Sequence, residues 1–223
     1  MNNYEYILFD LDGTLTDPKE GILNSIQYAL QKMGLPKMRE SELLKFIGPP
    51  IQKSFSEICQ LNDEDVLRAV HYYREYFTKN GMIENKVYSG IPNLLYELKK
   101  AGKQLIVATS KPTVFAKEIL KYFHLDHYFI EIVGSNLDGS RIDKKEIIEY
   151  ISLKYSQFSK SNAVIVGDRS HDVIGANLVG IESIGVMYGY GTKDELDIAG
   201  ANYVVSSVEE LARIFESENK VKI

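Results

Sequence analysis

Six short apolar runs recur along the chain, at 6–9, 105–108, 129–133, 163–166, 183–186 and 203–205. Each is nearly continuous rather than alternating, which is the pattern of a strand buried on both faces. Helical patterns separate most of them. Residues 91–101 end at Gly102, a common helix stop, and 113–123 follow Lys111-Pro112, with the proline suited to a first turn. Residues 144–154 follow Asp143 with Glu146 three positions on, and 208–216 follow Ser207 with Glu210 three positions on; both are capping-box signatures. Alternating strands and helices predict an α/β chain with a three-layer arrangement, a parallel sheet between two layers of helices.

One interval breaks the alternation. Residues 17–87 show helical periodicity and no convincing strand. Asp17-Pro18-Lys19-Glu20 reads as a capping box with Asp17 as N-cap and proline at the first helical position. That helix is expected to run to about Met33 and stop at Gly34, followed by shorter helices at 41–46 and 51–59 and a longer one at 63–80 after Asn62. Gly48-Pro49-Pro50 is a rigid turn within the interval. The expected division is a core of 1–16 and 88–223 with an all-helical insert, 17–87, after the first strand. Tyr72, Tyr73 and Tyr76 have helical spacing and read as packing residues.

Composition narrows the function classes. The chain of 223 residues is 44% apolar and 26% charged, as in ordinary globular proteins. Its formal net charge of -5 comes without a Lys/Arg block, so nothing in it advertises nucleic acid or an anionic membrane as partner. A single cysteine, Cys59, excludes an internal disulfide and a cysteine metal cluster, and its apolar neighbourhood reads as a buried packing thiol. The Met1 end lacks a basic-then-apolar leader pattern and no apolar run is long enough to span a bilayer, so the expected location is the cytoplasm. A monomer or weak homo-oligomer is expected.

Ligands in open parallel sheets bind beyond the carboxyl ends of the strands. After the first run comes Asp10-Leu11-Asp12-Gly13-Thr14, after the second Thr109-Ser110-Lys111, and after the fourth Gly167-Asp168-Arg169-Ser170-His171-Asp172. Asp10 and Asp12 are two apart, so an extended strand points both carboxylates the same way. Crowded carboxylates at a strand end repel unless a cation joins them, and an oxygen-only donor set suits Mg²⁺. Taken alone, Asp-x-Asp-Gly is better read as the capping of a turn.

The conjunction is more specific. DLDGTLTD (10–17) resembles the first motif of the haloacid dehalogenase superfamily, and VATSKP, VGDRSHD and Lys144 ahead of an apolar helix resemble its other three, all in order. The likeness covers essentially the whole chain. GSNLDG (134–139) and YGYG (188–191) look like the phosphoglycolate-phosphatase-like subgroup. The resemblance implies a Rossmann-like core with a helical cap, and a Mg²⁺-dependent phosphatase that hydrolyses a small phosphorylated metabolite through an aspartyl-phosphate. It implies Asp10 as nucleophile and metal ligand, and Asp12 as general acid/base, with its backbone carbonyl on the metal. Thr109 and Ser110 would bind phosphate, although many relatives have asparagine at the Ser110 position. Lys144, rather than the adjacent Lys145, would neutralise nucleophile and phosphoryl group. Asp168 would ligate the metal and Asp172 would hold it through water or orient Lys144. Gly48, Pro49, Pro50 and Lys53 are either a cap segment that selects the leaving group or a plain helix–helix turn.

An unperturbed aspartate has a pKa of about 3.9. Acid/base work by Asp12 near neutrality therefore needs a rise of roughly 3 units, on the order of 4 kcal/mol of environmental bias. The aspartate at this place points away from the dehalogenases, which lack it, and from the P-type ATPases, which carry threonine there. It leaves open a 5′-nucleotidase, a sugar-phosphate phosphatase or a phosphomutase of the same family; a non-catalytic binding protein on the scaffold ranks last. His171 reads as a partly exposed structural histidine, and His71, His124 and His127 lack ligand-like spacing.

Overall fold

The structure is a computed structural model, and it describes residues 4–219. The start of the Met1 end, read above as lacking a leader pattern, lies outside the described residues. Contacts along the chain define two units: one comprises the chain up to Leu15 and from Val87 onward, the other Thr16–Lys86.

The first unit contains β1 (Tyr6–Phe9) and then, after the second unit, α5 (Ile91–Lys100), β4 (Gln104–Pro112), α6 (Thr113–Tyr122), β5 (Glu131–Ser135) and α7 (Lys144–Lys154). It continues through β6 (Ala163–Gly167), α8 (Ser170–Val179), β7 (Glu182–Val186), α9 (Lys193–Ala199), β8 (Tyr203–Val205) and α10 (Val208–Asn219). Among the described residues, six strands form one parallel sheet in the order β5-β4-β1-β6-β7-β8. Successive residues of β1 point to opposite faces, yet Ile7, Leu8 and Phe9 are all fully buried. Helices must therefore cover both faces, which is why the sequence shows continuous apolar runs. On one face Tyr6, Leu8, Ile106, Ala108 and Ile165 pack with Ile147, Ile148 and Ile151 of α7 and Ala176 of α8.

The sheet order positions the site. β1 lies centrally, with Phe9 in register with Val107 of β4 and Val166 of β6. Strands far apart in sequence thus end side by side, and Asp10, Thr109 and Asp168 follow or lie in those ends.

The second unit holds α1 (Lys19–Lys32), α2 (Glu40–Leu43), α3 (Ile51–Cys59) and α4 (Asp63–Tyr76), with a π turn over Phe77–Gly81. Tyr73 is buried and stacks on Phe77, and Tyr76 packs on Tyr28. Among the described residues no helix is long and apolar enough to cross a membrane.

Several expectations need correction. Residues 17–87 are not free of strands: β2 (Thr16–Asp17) pairs with β3 (Lys86–Val87), and two-residue strands are too short to show periodicity. α1 begins at Lys19, with Pro18 rather than Asp17 at the N-cap; the Asp17 carboxylate still accepts the Lys19 N–H at 3.1 Å. β5 starts two residues late, because Phe129 packs edge-on to Phe9 instead of joining the ladder. Asp143 makes no side-chain cap bond to α7. Cys59 is half-buried, 3.9 Å from the Met38 sulfur, rather than fully enclosed.

Candidate active site

Asp10 extends the β1 ladder, its N–H donating to the Val166 carbonyl at 2.9 Å, so its side chain is fixed at the sheet's carboxyl edge. Asp168 and Asp172 come from the end of β6 and the first turn of α8. One carboxylate oxygen from each of Asp10, Asp168 and Asp172 lies within 4.8 Å of the others, and all three residues are buried. Burial pushes the Asp168 carboxyl well above the usual range, and the neighbouring charges of Asp172 and Asp10 push it further. Burial also raises Asp172, against the pull of Lys144. Among the described residues, Asp10 Oδ1, Asp12 Oδ1 and Asp172 Oδ1 are buried without a hydrogen-bond partner. Three buried carboxylates crowded this closely are costly unless a hard cation draws them together, so the donor set fits Mg²⁺.

Lys144 starts α7 and is buried, whereas Lys145 is exposed and pairs with Glu149. The Lys144 ammonium lies 2.7 Å from Asp172 Oδ1 and 3.0 Å from Asp10 Oδ1, off the directions of good hydrogen bonds, and donates to the Ala108 carbonyl at 2.8 Å. Burial pulls its pKa down, but the two carboxylates outweigh that and the net shift is upward, so it stays an ammonium. Asp172 also accepts the Arg169 N–H at 3.1 Å and so closes the first turn of α8.

Asp12 is buried, with its pKa raised by desolvation and partly held down by the Lys111 ammonium 2.7 Å away. That direction is the one acid/base work requires. Thr109 is buried, and its hydroxyl oxygen accepts the Lys111 N–H at 3.2 Å, which leaves the hydroxyl proton to donate elsewhere. Ser110 is buried and its carbonyl accepts the Ser135 hydroxyl at 2.8 Å. His171 is only partly exposed; its Nε2 is buried without a partner among the described residues, and burial lowers its pKa. Gly48 has φ 105°, Pro49 and Pro50 lead into α3, and Lys53 is exposed and pairs with Glu57; all four lie in the Thr16–Lys86 unit.

Sequence reasoning gave no role to several residues that build this site. Tyr190 N–H donates to Asp168 Oδ2 at 2.8 Å, and the Tyr188 hydroxyl donates to the Thr14 carbonyl at 3.1 Å. A Cβ on Gly191 would lie 1.8 Å from the Asp168 carbonyl oxygen, so only glycine lets this loop lie against the Asp168 backbone. The YGYG string was the available signal. Glu195 accepts the Ser170 N–H at 2.8 Å and the Arg169 Nε–H at 2.9 Å, and so fixes the turn after Asp168. Lys111 was visible inside VATSKP, but the strand bulge that turns it toward Asp12 was not.

These features sit on a chain whose residues 7–186 match the family model for haloacid dehalogenase-like hydrolases. The chain belongs to that family. It is 42% identical over 214 residues to a 5′-nucleotidase of Pseudomonas aeruginosa, with 96% of each chain covered. It is 35% identical to the tyrosine-protein kinase PtkA of Mycobacterium tuberculosis, over 93% of this chain and 71% of that protein. Among solved structures, a "predicted phosphatase" from Clostridium acetobutylicum superposes with a TM-score of 0.93 at 49% identity, covering 96% of this chain and 99% of the other.

Proposed function

We propose that the chain, a phosphatase of the haloacid dehalogenase-like family, hydrolyses small phosphate monoesters through a covalent aspartyl-phosphate on Asp10. The observation that carries this reading is the buried Asp10–Asp168–Asp172 cluster with Lys144 between two of its members. Asp10, Asp168 and the Asp12 backbone carbonyl would hold Mg²⁺, with Asp172 acting through water and through Lys144. Bound there, the ion supplies charge neutralisation for the nucleophile and the phosphoryl oxygens.

Asp10 attacks phosphorus and the P–O bond to the leaving group breaks. Asp12 gives its proton to the leaving oxygen, then takes one from the water that attacks the aspartyl-phosphate and releases inorganic phosphate. Lys144 keeps Asp10 ionised and oriented, and the Thr109 hydroxyl donates to a phosphoryl oxygen. The test is Mg²⁺-dependent hydrolysis of an aryl phosphate by wild type and Asp10→Asn. Loss in the variant is expected, and equal rates would remove Asp10 from the role.

For the leaving group, the similarity to a 5′-nucleotidase favours nucleoside monophosphates as first substrates, ahead of phosphoglycolate and sugar phosphates. The helical unit, taken as a cap over 17–87, would make that choice. A panel ranked by kcat/KM tests it: a nucleotide at the top is expected, and phosphoglycolate at the top would overturn the preference.

A further inference from the structure

The outer sides of α7 and α8 carry features that the hydrolase reading does not use. The two helices cover the same face of the sheet, with Ile147, Ile148, Ile151 and Ala176 turned into the core. Between their outer sides runs a groove of about 400 Å³. On α8 it is walled by Ile174 and Leu178, one turn apart and 48% and 64% exposed. On α7 it is walled by Lys145, Glu146 and Glu149, all exposed. Leu153, 88% exposed, continues that face of α7 one turn beyond Glu149. Three large apolar side chains on two packed helices are thus left to water, which, unlike a lone exposed leucine, marks an interaction surface.

The charges decide what fits. Asp143, Glu146 and Glu149 line the groove against one exposed ammonium, Lys145, which pairs with Glu149 at 3.6 Å. Asp143 makes no cap bond to α7, and among the described residues neither it nor Glu146 forms an ion pair. Such a rim repels phosphate-bearing polymers and lipids. Across a two-fold axis the same carboxylates would face their own copies, which disfavours a second copy of this chain as occupant. The groove also backs onto the site. Gly175 lines it, and a Cβ there would lie 2.8 Å from Lys144 Cβ, so an occupant rests behind the lysine that touches Asp10.

We propose that the groove between α7 and α8 docks a basic amphipathic helix of a partner protein. Apolar anchors four residues apart on that helix lie on Ile174 and Leu178, and its lysines or arginines meet Asp143, Glu146 and Glu149. None of these residues belongs to the Asp10–Asp168–Asp172 cluster, so the surface stands independently of the hydrolase reading.

The probe is a labelled amphipathic peptide of leucine and lysine, about 14 residues long so that it is helical in water, beside a counterpart with glutamate for lysine. Fluorescence anisotropy on the full chain is the readout, and circular dichroism checks that each variant folds. The lysine peptide should bind wild type and the glutamate peptide should not. Glu146→Lys/Glu149→Lys should weaken binding about tenfold, and Leu178→Ser by roughly as much. The control Glu118→Lys/Asp126→Lys makes the same change of net charge at exposed positions outside the groove, and should stay within twofold of wild type. Equal losses in the two charge-reversed pairs would reduce the binding to net charge and overturn the proposal. So would no binding up to about 1 mM peptide, or equal binding of the glutamate peptide. Self-association of wild type that Leu178→Ser abolishes, read by sedimentation, would make a second copy the occupant and overturn it as well.

Discussion

The two ends of the same parallel strands are built on opposite terms. At the amino ends, polar groups close on one another. Glu5 N–H donates to the Asn162 carbonyl at 2.8 Å, Gln104 N–H to the Glu5 carbonyl at 2.8 Å, and Lys103 to the Tyr4 carbonyl at 2.6 Å. The Asn162 amide bridges Glu5 and the Gln157 carbonyl. At the carboxyl ends, Asp10, Asp12 and Asp172 each keep a buried oxygen without a hydrogen-bond partner among the described residues, and those of Asp10 and Asp172 share the Lys144 ammonium. One end spends its polar groups on stability, while the other leaves them where the proposed cation and phosphate would meet. Crowded buried carboxylates cost free energy, which functional sites tolerate because a ligand recovers it.

The strongest way to break this contrast is to remove the proposed nucleophile. Asp10→Asn should lower kcat by at least about 10³-fold while the protein keeps its fold, because the amide keeps the side chain's size and Lys144 retains Asp172 and the Ala108 carbonyl as partners. Steady-state kinetics beside thermal unfolding reads both. If the variant is active, the carboxyl end is not the reactive one.

Next in size is a change that touches no reacting atom. Gly191→Ala must push back the Asp168 carbonyl, and a misplacement on the order of 1 Å should cost about 10²-fold in kcat/KM. An alanine variant with wild-type kinetics would show that the YGYG loop does not position Asp168.

Metal and pH sharpen the comparison further. The Asp168 carboxyl is raised in the folded state, so the fold binds its proton more tightly than the unfolded chain does. Its contribution to stability is therefore largest below the unfolded value of about 3.9 and is lost as pH rises from there through the raised folded value. In chelator-treated protein this contribution should decline over that window, and Mg²⁺ should reverse the loss at neutral pH. At a hundredfold excess over its dissociation constant the ion should add about 2.7 kcal/mol. Differential scanning calorimetry with and without Mg²⁺ measures it; no change on adding Mg²⁺ would argue against a cation at this cluster.

The smallest expected effect lies at the opposite end. Asn162→Ala loses side-chain bonds to Glu5, Gln157 and Ser159 and should cost roughly 1–3 kcal/mol of stability while leaving kcat/KM unchanged. A kinetic defect there would mean that the two ends are coupled.

The strands were legible in sequence because burial on both faces writes continuous apolar runs, and Tyr6–Phe9 and Tyr203–Val205 begin and end where those runs do. Asp10, Asp12 and Asp168 were legible as carboxylates placed just after such runs. What stayed hidden depends on three-dimensional approach. Nothing in VATSKP says that β4 bulges, since the bulge arises from Ser135 and Gly134 on a neighbouring strand. The tie from Tyr190 to Asp168 is donated by a backbone N–H, which no side-chain pattern encodes. The missing cap at Asp143 is a similar case: its Asp-x-x-Glu spacing satisfies the signature, yet the Asp143 side chain makes no cap bond to the α7 backbone.

The central claim is a covalent phosphoryl group on Asp10. Asp12→Asn should accumulate that species with an aryl phosphate, because a good leaving group needs no proton to depart while the attacking water still needs a base. Acid quench during turnover, borohydride reduction and peptide sequencing would then locate it. The account predicts conversion of Asp10, and of no other aspartate, to homoserine. Label on another residue, or none in a variant that still releases the aryl alcohol, would contradict it.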